Sequence, residues 1–398
     1  MNEGNVGLAS LLNDCLIGAY TSLSFLDKGS DEYREQLVLR LNAQSNLYRI
    51  LGDEYQATRC ILDARKELES ISDSHLKESL EGFTDSREGT LKYRRGEYGR
   101  LSEFYLQGEL NIGKKQFDAQ FRGAREKALK LLQDGEAKLN RAISFWEEGW
   151  TQVNNVEEKP RLVDLIQQHR RNLGETRFRI GELLMLNEQF YDHDDQKGAL
   201  SYLKEAINDS ESSRDTYRYD YAVQSYINAL YFSGNYDHPD HREERIVYEK
   251  RFEEKLKSSD AKIYPSIMGR LRITQGDTLF SSSFQRKEEF SQTGEFTRTY
   301  IPREGKVNTR RLRTILRHYI EACNFMAQHS HTNFAAAVRV LRRRIELLSD
   351  KGSLQEIQRC LRDVWSDQEH LAEKDEELET FIQFAKIRSM MLEDETTK

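Results

Sequence analysis

The stretch nearest to a catalytic motif is Gly108-Glu109-Leu110-Asn111-Ile112-Gly113-Lys114-Lys115, which almost spells a phosphate-binding loop. That chemistry needs a glycine-rich turn between a strand and a helix, a Lys for the phosphates and a Ser or Thr on magnesium. Here Lys115 stands where the hydroxyl should be, and the glycines lie inside a helical pattern with no strand before them. Amides already spent on helical hydrogen bonds cannot cradle phosphate, so no nucleotide cofactor is expected. Two segments, Tyr191-Asp192-His193-Asp194-Asp195 and Tyr236-Asp237-His238-Pro239-Asp240-His241, mix imidazole with carboxylate. His238, Asp240 and His241 are competent ligands for a divalent ion. Asp and Pro also end one helix and cap the next, and that capping role is the reading adopted, with no metal. The chain has no Gly-x-Ser-x-Gly, no His-Glu-x-x-His and no Cys beside a plausible His. Cys15, Cys60, Cys323 and Cys360 are widely separated within apolar helical patterns, which suits reduced core thiols of a cytoplasmic protein. A non-catalytic protein without cofactors is therefore expected.

Binding chemistry is better represented. Arg310, Arg311, Arg313 and Arg317 are followed by Arg339, Arg342, Arg343 and Arg344, on helical segments adjacent in sequence. Together they form a candidate basic patch, able to attract an acidic protein surface or a nucleic-acid backbone in a salt-sensitive way. Few aromatics are interleaved to stack single-stranded bases. The formal charge of -7, from 60 basic and 67 acidic residues, argues against general nucleic-acid binding.

The elements that must position these groups follow from composition. Of the 398 residues 37% are hydrophobic and 32% charged, with 4 prolines and 23 glycines. So thin an apolar supply suits two layers of helices better than a thick globular core. No apolar run reaches the length of a membrane span. Asn13 and Asp14 interrupt the apolar stretch Leu8 to Leu16, so no secretion signal is expected either.

Leu41 to Leu68 reads as one helical hairpin. Leu41, Ser45 and Tyr48 line the first helix, Gly52 makes the turn, and Ala57, Ile61 and Ala64 line the second. Short side chains at Ser45, Ala57 and Ala64 let two helices lie close together. This large, small, aromatic, glycine, alanine spacing resembles the tetratricopeptide repeat. Further units are placed at Phe104 and Gly108 with Gly135, Leu139, Ala142 and Ile143; at Phe178, Ile180 and Gly181 with Ala199, Leu203, Ala206 and Ile207; and at Tyr226 and Leu230 with Ile246 to Leu256. A fifth joins Gly276, Leu279 and Phe280 to Ile315, Tyr319 and Ala322 across a long loop at 281–308. The polar stretch 72–98, holding Gly82, Gly89 and Gly96, reads as a loop or weak helix. The expected domains are a capping helix and linker at 1–37, an array at 38–350, including a degenerate sixth hairpin, and a capping helix and tail at 351–398.

The resemblance implies an all-α solenoid of antiparallel hairpins with a right-handed superhelical twist, whose first helices line a concave groove. Its register places Asn42, Asn46, Arg49, Arg179, Tyr221, Gln224, Asn228 and Tyr231 in that groove, where amides hold an extended peptide and tyrosines add flat apolar area. The expected function is a protein-protein interaction scaffold or regulatory adaptor that binds another protein or a peptide. The alternatives are a nucleic-acid-associated adaptor and a peptide-gated regulator. The chain also looks similar to helical-repeat regions accompanying caspase-like proteases or signalling ATPases in prokaryotic defence and stress systems. That likeness implies control of such an enzyme, with the 281–308 loop as docking segment or cleavage target.

Overall fold

The computed structural model describes residues 23, 25–51, 53–94, 114–152, 158–194, 196–234, 236–258, 263–290, 296–303 and 308–327. Over these residues the chain is helical except for one two-stranded ribbon. The helices are α1 (Asp31–Leu51), α2 (Glu54–Glu69), α3 (Ser74–Arg94), α4 (Lys114–Gln152), α5 (Glu158–Leu186), α6 (Ala199–Ser212), α7 (Thr216–Phe232), α8 (Pro239–Ser258), α9 (Ile263–Ser283) and α10 (Thr309–Ala327). No helix among the described residues is long and apolar enough to cross a membrane.

Residues 23–94 and 118–225 form one compact unit, and the described residues from Tyr226 onward belong to a second. In the first unit, α2 shows how the local sequence sets an element. Asp53 caps it by accepting the Gln56 amide at 3.0 Å. Ala57, Cys60, Ile61, Ala64 and Leu68 then recur every three or four residues on the buried stripe. Val38 of α1, Ala64 and Leu68 of α2, Ile71 of the link that follows and Leu80 of α3 make one apolar cluster. Asp31, in the first turn of α1, accepts the Ser72 and Asp73 amides and so ties the start of α1 to the start of α3. Helix α1 thus opens inside the stretch expected to be linker.

Helix α3 occupies the polar stretch read from sequence as loop or weak helix. Its glycines do not break it. A Cβ on Gly82 would lie 2.8 Å from Lys138 Cβ, and one on Gly135 would lie 2.7 Å from the Gly82 carbonyl oxygen. Gly82 and Gly89, seven residues apart, fall on one face two turns apart, and that face meets α4. The first helix partnering Gly135 is therefore α3, whereas Phe104 and Gly108 lie outside the described residues. So do Gly52, residues 1–22, and everything beyond Ala327, including the second helix expected for the sixth hairpin and the expected C-terminal helix.

In the second unit the turn between α7 and α8 needs glycine, since Gly234 has φ +79°. The stretch 281–308, expected to be a loop, instead extends α9 to Ser283 and then forms β1 (Phe284–Phe290) and β2 (Phe296–Pro302). They pair antiparallel from Phe284↔Pro302 to Phe290↔Phe296. Phe284 anchors the ribbon, buried with its ring 4.7 Å from that of Phe280.

Candidate functional site

The residues expected to line a groove are mostly engaged in packing. Asn42 is 0% exposed, and its amide nitrogen donates to the Val38 carbonyl and to Thr84 Oγ1, each at 3.0 Å. Asn46 and Arg49 are half-buried and bonded to each other, the guanidinium donating to Asn46 Oδ1 at 2.8 and 3.0 Å. Arg179 pairs with Glu182 at 2.6 Å and lies over the Phe178 ring. Tyr221 is half-buried with its ring 4.8 Å from that of Tyr217, and Gln224 is buried. Asn228 is half-buried. Tyr231 is buried and closes a polar knot: its hydroxyl donates to Glu249 at 2.9 Å and accepts from Arg245 at 2.7 Å and Gln275 at 3.2 Å. Burial and the Glu249 carboxylate both push its phenol pKa upward. The Asn42 amide nitrogen, Asn46 and Tyr231 are thus engaged within the fold, whereas Asn42 Oδ1, Gln224 Oε1 and Asn228 Oδ1 are buried without a hydrogen-bond partner among the described residues.

Charge pairs fasten the helices of the first unit to one another. Arg87 of α3 grips Glu175 of α5 with two bonds of 2.7 and 2.9 Å, and Arg218 of α7 adds a third at 2.7 Å. Burial alone would raise the Glu175 pKa, but Arg87, Arg218 and Arg179 outweigh it and hold the carboxyl at about 2. Arg177 spans Glu136 of α4 and Asp209 of α6, each at 2.9 Å. Ser79 of α3 and His169 of α5 also meet in the core, the hydroxyl 2.7 Å from Nδ1, with the Trp146 ring beside the imidazole. Burial lowers the His169 pKa to about 4, so the ring is neutral at pH 7. This Ser-His contact lies in the packed core, both side chains 1% exposed or less, where no substrate carbonyl can reach the hydroxyl.

An open surface forms where the buried stripe of α4 runs past its packing partners. Leu139, Ile143 and Trp146 are buried, but the next member of the stripe, Trp150, is 43% exposed. It lines a groove of about 360 Å³ with Val163 and Ile166 of α5, rimmed by Gln167, Ser212 and the Glu147–Arg170 ion pair. Lys159 stands 5.8 Å from the centre of the indole. No known family model, curated protein or solved structure matches this chain. The groove must therefore be read from its own chemistry. An apolar floor with a charged rim, centred on a tryptophan, is the anatomy of a protein-binding hot spot. Sequence reasoning passed over it, although Trp146 and Trp150 stand four apart in FWEEGW and so continue one helical stripe.

The basic residues divide. Arg310, Arg313 and Arg317 are exposed on α10, while Arg311 is half-buried and donates to Ser282 Oγ at 2.6 Å. Arg339, Arg342, Arg343 and Arg344 lie outside the described residues. His238, Asp240 and His241 occupy the turn before and first turn of α8; His238 Nδ1 is 3.5 Å from Asp240 Oδ2, and no three His, Cys, Asp or Glu among the described residues converge on a metal position. Cys60 is a buried free thiol whose pKa burial raises to about 11.

Proposed function

We propose that this chain is a non-catalytic interaction scaffold, an α-solenoid of antiparallel helical hairpins that binds a partner protein. The register of contacts supports the architecture. Ser45 of α1 meets Ala57 of α2 while Asp31 meets Ser72; Gly181 of α5 faces Leu203 of α6 while Gly174 faces Asp209; Asp277 of α9 meets Tyr319 of α10 while Arg272 meets Glu321. In each pair one partner number rises as the other falls. Helices that touch mainly their chain neighbours are the mark of a quasi-one-dimensional array.

The observation that carries the binding function is the Trp150 groove. An indole left half in water costs hydrophobic free energy, about 25 cal/mol for each Å² not covered, and a partner's apolar side chain would recover it. The ion pairs that fix α3 through α6 hold this groove in one shape, so binding spends little on ordering.

The test is affinity purification of the tagged chain from its native cell with nuclease present, comparing the native sequence with Trp150→Ala and with Val247→Ala, an exposed position outside the groove. One stoichiometric protein retained by the native chain and by Val247→Ala, but lost with Trp150→Ala at unchanged circular dichroism, supports the reading. Capture indifferent to Trp150, or partners released by nuclease, overturns it.

A further inference from the structure

The Trp150 groove continues past its rim. Ser212, on that rim, is followed by Ser213, whose carbonyl accepts Arg171 Nε at 3.3 Å. Arg171 stands beside Arg170, the cation of the rim ion pair, and its own carbonyl accepts a guanidinium N–H of Arg218 at 2.9 Å. Arg214 then leads into α7, where Tyr217 is 59% exposed and its ring packs on that of Tyr221. One surface therefore runs from the indole over the α6–α7 turn to a pair of tyrosines. Trp, Tyr and Arg, its recurring types, are those that carry most of the binding energy where proteins meet.

The far end of this surface is basic. Arg218 is matched by Glu175 at 2.7 Å and Asp215 at 3.5 Å, and Arg170 by Glu147. Arg171 and Arg214 are exposed, and the last turn of α6 sets one exposed acid, Glu211, near them. Both cations are stable where they stand. Ser213 steadies Arg171, and Arg214 follows the C-terminus of α6, where the helix dipole favours positive charge. Each guanidinium has five N–H donors, more than a single carbonyl can take, and the turn that presents them is fixed by the Arg218 contacts, so little ordering is left to a partner.

We propose that this surface takes an acidic segment of a partner protein, with one apolar side chain anchored in the groove and carboxylates over Arg171 and Arg214. The proposal rests on the Trp150 reading above and gives its partner a chemistry. Guanidinium suits carboxylate bidentately. Val163, on the groove floor, and Arg171 are eight residues apart on α5, about 12 Å along the helix. Anchor and acid are therefore separated by about four residues in an extended partner or about eight in a helical one. A nucleic-acid strand fits less well. The two tyrosine rings are tilted by 57° and so make no single platform for successive bases, and the apolar floor offers nothing to a phosphate.

The experiment selects from a displayed library of random peptides about 16 residues long, enough to span about 12 Å in either conformation. The baits are the purified full chain and its variants Trp150→Ala, Arg214→Glu and Arg171→Glu/Arg214→Glu, each checked by circular dichroism. Glu188 already adopts the backbone angle of Arg214, φ 60° against 57°, so Glu is tolerated there. The native chain should enrich peptides that carry one large apolar residue and, at the spacing above, Asp or Glu. Synthetic copies should bind at least tenfold more weakly to the double variant and weaken with added salt. Selection on the double variant should keep the apolar residue and exchange the acids for Lys or Arg, whereas Trp150→Ala should keep the acids and lose the apolar residue. If the double variant misfolds, Arg214→Glu alone should show the same exchange with a smaller loss, at least threefold. Apolar peptides without acidic bias, or with a bias that survives charge reversal, overturn this inference and leave the groove reading intact. Peptides indifferent to Trp150→Ala, or no enrichment at all, overturn both. Tighter binding of a single-stranded oligonucleotide than of the selected peptide, lost on the same reversal, overturns the inference in favour of nucleic acid.

Discussion

Two glycines of α4 give opposite responses to the same substitution. Replacing a helical Gly by Ala gains about 1 kcal/mol through backbone entropy and propensity. At Gly149 nothing lies within 4 Å of the new methyl, so Gly149→Ala keeps that gain, roughly 0.5–1 kcal/mol. At Gly135 the methyl would stand 2.7 Å from the Gly82 carbonyl oxygen and 3.1 Å from the Ser86 nitrogen. Both are backbone atoms, so no rotamer relieves the clash and the helices must move apart. Overpacking of this kind costs about 1–3 kcal/mol, which offsets the propensity gain and leaves Gly135→Ala destabilised by about 1 kcal/mol. The two variants should therefore differ by about 2 kcal/mol, or about 4–8 °C in melting temperature for a unit of this size. Thermal unfolding by far-UV circular dichroism measures the gap directly. If Gly135→Ala proves as stabilising as Gly149→Ala, α3 and α4 do not approach as described and the reasoning fails.

Two further predictions concern buried titratable groups. Glu175 has its pKa lowered from 4.5 to about 2, so its contribution is complete above pH 4.5 and vanishes as pH falls through 2; Glu175→Gln, which takes the carboxylate from Arg87 and leaves Arg218 only Asp215 and the Arg171 carbonyl, should cost about 3 kcal/mol at pH 7 and flatten the acid limb of urea midpoints recorded between pH 5 and 2. His169, lowered from 6.5 to about 4, stays neutral in the fold while the unfolded chain takes up a proton, so stability drops by up to about 1.4 kcal/mol per pH unit from 6.5 toward 4. Nitrogen chemical shifts of its ring should show no protonation at pH 5. Ser79→Ala should cost about 1–2 kcal/mol by orphaning Nδ1, read from the same urea curves.

The helical class and most helix positions were legible because the apolar stripes are periodic: Ala57, Ile61 and Ala64, or Ala199, Leu203 and Ala206, are buried as their spacing predicts. Helix α3 was not legible, since a glycine every seventh residue reads equally as a helix breaker or as a seam, and only the facing Gly135 decides between them. The ribbon was obscured by charged residues, RKEE in β1, which carry a weak strand signal. The repeat register put Asn42 and Gln224 in a groove, whereas the structure buries both. Sequence spacing gives a residue's angle round its own helix but not which neighbours crowd that angle. The Trp150 groove depends on how far α4 outruns its packing partners, a length that periodicity alone does not report.

The links between α3 and α5 carry a consequence for how the chain is made. Ser79 meets His169, Ser86 meets Thr176 and Arg87 meets Glu175, pairs 88 or 90 residues apart. At a synthesis rate of about 5–20 residues per second, α3 emerges and docks on α1 and α2 some 5–20 s before its partners on α5 exist. During that interval the groups left waiting are two hydroxyls and a guanidinium, which water solvates well. A nascent chain that halts there leaves these particular contacts solvated, so they add nothing to any apolar edge it offers chaperones or other nascent chains.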